Sequence, residues 1–251
     1  MQDKDSAMAP ASPENYPGCA FCIIFQTGIC STGKPNQVGP VKPAGGALVI
    51  ESTAHTALAG QMILHPRESS DDVMLICSGQ AMSSIGLADG RRQIFEILLP
   101  GDLLLWTALF APMSGRLLEA LDDTVYRKLK RTEFKALLNV YPDFFAMFMR
   151  VCASKKNQCD QLALSLGRRN AAQRIARLIL ELAKRFAARG LISEGTFRFP
   201  LRQRHIADAT GLTPVHTSKI LRHLRQDRIV EFKDRSLKIL DMARLRQVAG
   251  P

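Results

Sequence analysis

Three cysteines near the start of the chain are the residues with the clearest capacity for chemistry. Cys19-Ala-Phe-Cys22 followed by Cys30 gives a C-x2-C-x7-C spacing. The chain has six cysteines in 251 residues, and its first residues, Met-Gln-Asp-Lys-Asp, lack a basic-then-apolar export pattern. A cytoplasmic location is therefore expected, and clustered cysteines in a reducing compartment are more often metal ligands than a disulfide framework. Three close thiolates could bind zinc with a fourth ligand, or be the remnant of a lost site. The second chemical feature is electrostatic. His216, Lys219, Arg222, His223 and Arg225 fall on one side of a helix whose other side carries Ile220, Leu221 and Leu224.

The charge balance isolates that feature. Residues 150–251 hold 22 Lys+Arg against 8 Asp+Glu, a net +14, whereas residues 1–149 carry −3. A near-neutral front joined to a basic back suits a polyanionic partner at the back. Apolar residues make up 46% of the chain, enough for a real core. The longest apolar run, Leu103 to Pro112, is half the ~18–20 residues of a membrane span and contains Thr107.

The elements that must position these residues change character along the chain. Residues 1–46 are rich in Pro, Gly and Ser and form a cysteine-containing N-terminal segment. From Ala47 to Lys130 short strands alternate with turns. Val73–Cys77 closes at Ser78-Gly79, Ala81–Leu87 runs to an Asp89-Gly90 hairpin turn, and Gln93–Leu99 stops at Pro100-Gly101-Asp102. This pattern predicts a β-sandwich or barrel over 47–140. From Tyr141 the period becomes helical, with Pro142 and Asp143 suited to a first turn. Phe145, Phe148, Cys152, Cys159, Leu162 and Leu166, with Lys155 in the missing place, alternate by three and four. That seam over 141–167 predicts a two-helix coiled coil, the alternative being a helix packed on its own barrel. Cys152 and Cys159 read as small apolar packing, or as an inter-subunit thiol switch. A second helix is predicted over Asn170–Ala188, ending at Gly190.

The segment 168–251 reads as a winged helix-turn-helix. Ile206 and Ala207 are apolar and small where a first helix must be, and Gly211 permits a left-handed turn. Thr213 is a good N-cap and Pro214 a good first helical residue. Ile229–Phe232 and Leu237–Leu240 then form a hairpin around Lys233-Asp234-Arg235. In such a unit the start of the second helix reads the major groove. Val215, His216, Ser218 and Lys219 are candidates for base edges. Thr213, Arg222, Lys233 and Arg235 are candidates for phosphate. An RNA module is disfavoured, because Phe232 is the only aromatic after Phe199.

In order along the chain these parts resemble the CRP/FNR family of bacterial transcription regulators. The resemblance rests on Ala59-Gly60-Gln61, Ile76-Cys77-Ser78-Gly79, Leu99-Pro100-Gly101-Asp102, Arg168–Ile175, Arg185–Gly190 and Gly211-Leu-Thr-Pro214. It implies an α+β architecture: an N-terminal β jelly-roll (cupin-like) sensor barrel, a long dimerisation helix and a C-terminal winged helix-turn-helix. It implies a homodimer on a palindromic double-stranded DNA operator, with RNA polymerase as a further partner and no membrane. Cyclic-nucleotide binders of the family carry a Gly-Glu pair where Leu105-Trp106 stands here, and a hydroxyl residue after the phosphate-binding Arg where Leu117 follows Arg116. The cysteine spacing is instead similar to the oxygen-responsive FNR-type branch. That similarity implies a 4Fe-4S cluster on Cys19, Cys22 and Cys30. The branch's fourth cysteine aligns with Tyr126. Asp122 or Asp123 is the candidate substitute, and Cys77 a weaker one. The alternatives are a degenerate sensor controlled by abundance, a different small ligand, or a cyclic nucleotide. The branch reads its half-site with a Glu, a Ser and an Arg, where this chain has Val215, Ser218 and Lys219; only Ser218 is retained, so the branch's usual target sequence does not carry over.

No enzyme is indicated. A G-x-S-x-G elbow, a Walker loop and a dinucleotide fingerprint are absent, and His55 and His65 have no matching nucleophile or ligand spacing.

Overall fold

A computed structural model describes Cys22 and residues 37–41, 48–51, 53–65, 72–104, 109 and 115–250. Cys19, Cys30, Leu105 and Trp106 lie outside the described residues.

The front half is built of antiparallel strands. A short ribbon pairs β1 (Gln37–Val41) with β2 (Leu48–Glu51). The remaining strands are β3 (Thr53–Ala57), β4 (Met62–Leu64), β5 (Asp72–Ser78), β6 (Ala81–Gly86), β7 (Arg92–Leu98), β8 (Leu103–Leu104), β9 (Arg116–Ala120) and β10 (Thr124–Lys130). They form two four-stranded sheets, ordered β3-β10-β5-β8 and β4-β9-β6-β7. Met74, Ile76, Leu104 and Tyr126 of the first share one core with Leu64, Ala81, Leu98, Leu118 and Ala120 of the second. Their inner faces therefore pack together, as in a jelly roll. Gly79 is required where β5 turns into β6. Its φ is +75°, and a Cβ there would meet the Asp123 carbonyl at 2.4 Å.

Three helices follow. α1 (Arg131–Val140) was not anticipated; it buries Phe134 and Leu137. α2 (Pro142–Arg168) begins with the expected Pro at its first turn. The two are bent by 115° at Tyr141, whose extended backbone (φ −117°, ψ 100°) is what a following Pro imposes. α3 (Ala171–Ala188) opens with a reciprocal Asn170–Gln173 capping box and stops at Gly190, φ +65°. Among the described residues, no single helix is long and apolar enough to cross a membrane.

The predicted seam on α2 is rotated in the structure. Phe148 and Lys155 point into the same chain and are buried, as is Phe144. Cys152 is half-buried against the cluster containing Phe134, Phe144 and Phe148. The apolar side chains left outward are Phe145 (49% exposed), Met149 (48%) and Leu164 (44%), with Cys159 also exposed. The alternation by three and four therefore mixes a barrel-facing row with an outward row.

The basic end contains β11 (Thr196–Arg198), α4 (Gln203–Thr210), α5 (Pro214–Gln226), β12 (Val230–Lys233), β13 (Ser236–Ile239) and α6 (Met242–Ala249). The sequence pattern had indicated the hairpin but neither β11, which completes a β11-β13-β12 sheet, nor α6. Phe186, Phe197, Phe199, Ile206, Leu221, Leu224 and Leu245 belong to one core. That core continues into Ile94, Ile97 and Leu99 of the barrel, so the two halves share a hydrophobic boundary.

Candidate nucleic-acid interface

α4 ends on Gly211 in the left-handed conformation (φ 65°, ψ 38°), which turns the chain sharply into α5. A Cβ there would lie 3.0 Å from Leu166 Cδ2. The Thr213 hydroxyl oxygen accepts from His216 N at 3.3 Å and caps α5, which leaves its own proton free to donate. Pro214 occupies the first turn. Thr217, Ile220, Leu221 and Leu224 are buried, which fixes the opposite face outward.

That outward face is a shallow concavity of about 720 Å³ lined by Gln203, Val215, Ser218, Lys219, Arg222 and Gln226, among others. Val215 is 82% exposed, an unusual position for an apolar side chain at a helix start. An exposed methyl pair there suits a thymine methyl group, and Lys219 one turn on suits guanine O6 or N7. Gln203 was missed from the sequence. It lies on the first turn of α4, and only the crossing of the two helices brings it beside Val215. His216 is exposed on the first turn of α5.

The wing places its remaining candidates on a tight turn. Lys233 pairs with Ser236, so Asp234 and Arg235 form the two-residue loop, with φ of 48° and 58°. Positive φ at both positions is the type I′ requirement. Lys233 is exposed. Arg235 is exposed as well, but its Nη2 donates to the Leu121 carbonyl of the barrel at 2.6 Å.

Polar bonds tie the basic end to the barrel. The buried Asp102 carboxylate accepts from Leu99 N, from Arg185 Nη2 and, at 2.7 Å, from Arg189 Nη2. Burial raises its pKa, but the Arg185, Lys155 and Arg189 charges outweigh that and bring it down to about 2. Two motifs read separately in the sequence, Pro100-Gly101-Asp102 and Arg185–Gly190, thus meet in one network. Arg92 bridges Glu119 (2.9 Å) and Asp208 (2.7 Å). Beside it His205 is buried and held neutral, its pKa lowered to about 4 by burial and by Arg204.

Among the described residues, the metal candidate Cys22 lies apart from Asp122 and Asp123. Cys22 is buried in the cluster of Val73, Leu129, Phe134, Phe144 and Phe148. Asp122 and Asp123 precede the opposite end of β10, on the order of 20 Å from Leu129 at ~3.3 Å per residue. Asp122 accepts from Gln80 N at 2.5 Å and from Arg198 Nε at 3.4 Å, and Asp123 accepts from Ala59 N at 3.1 Å. The structure thus does not bring either aspartate to Cys22. Tyr126 is buried and stacked on His55, with ring centroids 5.3 Å apart. Cys77 is buried in β5. Among the described residues no group of three or more His, Cys, Asp or Glu side chains could hold a metal ion. Arg116 donates to Ser83 Oγ at 2.8 Å and lies 5.6 Å from the centroid of the Phe95 ring.

A barrel joined through a long helix to a winged helix-turn-helix with a basic, outward reading face defines a DNA-binding transcription regulator. Residues 173–248 match the Crp-like helix-turn-helix domain, and residues 55–141 match the cyclic nucleotide-binding domain. The transcriptional activator protein FnrL of Cereibacter sphaeroides is 29% identical over 201 residues, covering 76% of this chain and 78% of the relative. The transcriptional activator protein FnrA of Stutzerimonas stutzeri is 26% identical over 192 residues, with the same two shares covered. The solved structure of FixK2 from Bradyrhizobium japonicum superimposes with a TM-score of 0.71 at 27% identity, covering 80% of this chain and 98% of that one. The chain belongs to the CRP/FNR family of transcription regulators.

Proposed function

We propose that the protein is an oxygen- or redox-responsive member of this family, acting as a homodimer on a palindromic operator, in the cytoplasm and with RNA polymerase as a partner. The sensory group would be a 4Fe-4S cluster on Cys19, Cys22 and Cys30. Thiolates are the ligands such clusters take, and burial excludes water from them. The observation that carries the reading is the environment of Cys22. It sits in the same apolar cluster as Phe144 and Phe148, the buried residues of the first turns of α2. A change of state at Cys22 therefore meets the N-terminal end of the long helix directly. That apolar cluster also contains Leu129 of β10, and the turn that leads into β10 carries Leu121, whose carbonyl accepts from Arg235 of the wing.

A 4Fe-4S group held by Cys19, Cys22 and Cys30 would supply a redox centre whose assembly depends on oxygen. The chain's own residues do the rest. Phe134, Phe144 and Phe148 couple Cys22 to α2, and α2 presents its outward row to a second copy. Dimerisation sets the two reading helices ~34–36 Å apart to match successive major grooves. On each, Val215, His216, Ser218 and Lys219 would face base edges, while Thr213, Arg222, Lys233 and Arg235 would hold phosphate. FnrL and FnrA, named as transcriptional activators, support the FNR-type reading. Against a cyclic nucleotide stands the sequence around Arg116, where Leu117 replaces the hydroxyl residue and Leu105-Trp106 the Gly-Glu pair.

Anaerobic reconstitution with iron and sulfide tests this reading. The expected result is visible charge-transfer absorption that air bleaches, with DNA affinity rising on loading and no response in a Cys19→Ser, Cys22→Ser, Cys30→Ser triple variant. Equal affinity for loaded, unloaded and triple-variant protein would favour the alternative regulator controlled by its abundance.

A further inference from the structure

We propose that the wing is held on the barrel by a polar latch that duplex DNA must open. The latch has three parts. Arg235 Nη2 donates to Leu121 O at 2.6 Å, Arg198 Nε to the Asp122 carboxylate at 3.4 Å, and Gln80 Nε2 to Arg198 O at 3.1 Å. All three converge on one corner of the barrel, where Gln80 and Asp122 are also joined to each other through Gln80 N. On the other side, Arg198 is the last residue of β11 and pairs with Ser236, next to the wing turn, while Phe199 N donates to Arg235 O at 2.7 Å. The barrel corner and the wing turn are thus one hydrogen-bonded unit.

The turn itself directs the contact. Arg235 has a positive φ of 58°, a conformation disfavoured for residues bearing a Cβ. In a type I′ turn this is the place of Gly. Here it carries a side chain, and that exposed side chain bends back to a carbonyl at the edge of the barrel. A guanidinium bonded to a neutral carbonyl has a stronger partner available in a phosphate oxygen, because a charged acceptor roughly doubles the bond strength. Phosphate can therefore displace Leu121 O, at the cost of breaking the latch.

The consequence is a coupling between the barrel corner and DNA binding at the wing. Any barrel state that tightens the corner at Gln80, Leu121 and Asp122 withholds Arg235 and weakens DNA binding. By reciprocity, bound DNA loosens that corner. This rests on the reading that the wing meets phosphate, but not on the presence of a cluster.

The test uses the full chain, a duplex of about three helical turns with random sequence, and two barrel-side variants that do not touch DNA, Gln80→Met and Asp122→Asn. Each is measured with Arg235 present and with Arg235→Ala. Thermal melts identify a variant that has lost its fold, in which case the other carries the measurement. The expected result is binding about three- to ten-fold tighter for Gln80→Met or Asp122→Asn, the worth of one opposing hydrogen bond, and no such gain in the Arg235→Ala background. Arg235→Ala alone should reduce the salt slope by about 0.9. If Arg235→Ala lowers the slope but the barrel-side variants bind no tighter, or gain affinity regardless of Arg235, the latch is refuted while the wing contact stands. If Arg235→Ala changes neither affinity nor slope, the wing contact fails and the latch with it.

Discussion

Lys155 Nζ lies 2.8 Å from Glu96 Oε1, joining the middle of the long helix to strand β7 of its own barrel. Both side chains are largely buried, at 7% and 16% exposure. In the heptad pattern Lys155 is the polar interruption of a coiled-coil seam; in the structure it is an anchor that fixes which face of α2 turns outward. Breaking a buried pair leaves one charge uncompensated. Lys155→Met should therefore lower unfolding free energy by about 3 kcal/mol. Adding Glu96→Gln should recover most of the loss. Denaturant titration of the single and double variants checks this.

Acid should loosen the basic end before the barrel. The His205 pKa is about 4 in the fold against 6.5 for the ordinary side chain, so the unfolded chain takes up the proton first on acidification. Its contribution is complete above pH 6.5 and is lost as pH falls toward 4, at ~1.4 kcal/mol per unit. Asp102, with its pKa lowered to about 2, stabilises the fold above about pH 3.8, and that stability disappears as pH falls toward 2. Thermal melts across pH 4–7 should show a slope that His205→Gln abolishes and Asp102→Asn leaves in place.

Thr217 is fully buried in α5, and its hydroxyl has no hydrogen-bond partner among the described residues. Thr217→Val keeps the shape and removes an unsatisfied polar group. It should stabilise the protein by about 1 kcal/mol. A raised denaturation midpoint with unchanged DNA affinity is the expected outcome.

Much of this architecture was legible in local chemistry. Gly211, Thr213 and Pro214 each impose a backbone state within one or two residues, so the two helices of the reading unit follow from sequence alone. The Asp89-Gly90 turn and the Pro142 helix start are legible for the same reason. What was not legible depends on partners far away in the chain. The orientation of α2 is set by Glu96, 59 residues before Lys155. Strand β11 exists because Thr196–Arg198 finds β13, about 40 residues on. Arg235 looks like a free wing cation until Leu121, 114 residues earlier, is seen to accept from it. Gln203 joins the reading face only through the crossing of α4 and α5.

Base reading and phosphate holding should separate by mutation. Lys219→Ala is expected to cost about 1–3 kcal/mol on a specific duplex and less on a scrambled one. Lys233→Ala should weaken both by similar factors, since phosphate carries no sequence information. Parallel binding titrations on the two duplexes make the comparison. Equal losses for Lys219→Ala would remove its base-reading role.

The central claim, that the basic end grips duplex phosphates through the face of α5 and the wing, is tested most directly by the salt dependence of DNA affinity. Fluorescence anisotropy of the full chain on duplex DNA, at stepped salt concentrations, should give a straight line of log affinity against log salt. Its slope should be about −0.9 for every phosphate neutralised, and it should become shallower by close to one such increment in Arg222→Ala. No binding at low ionic strength, or an affinity indifferent to salt, would contradict it.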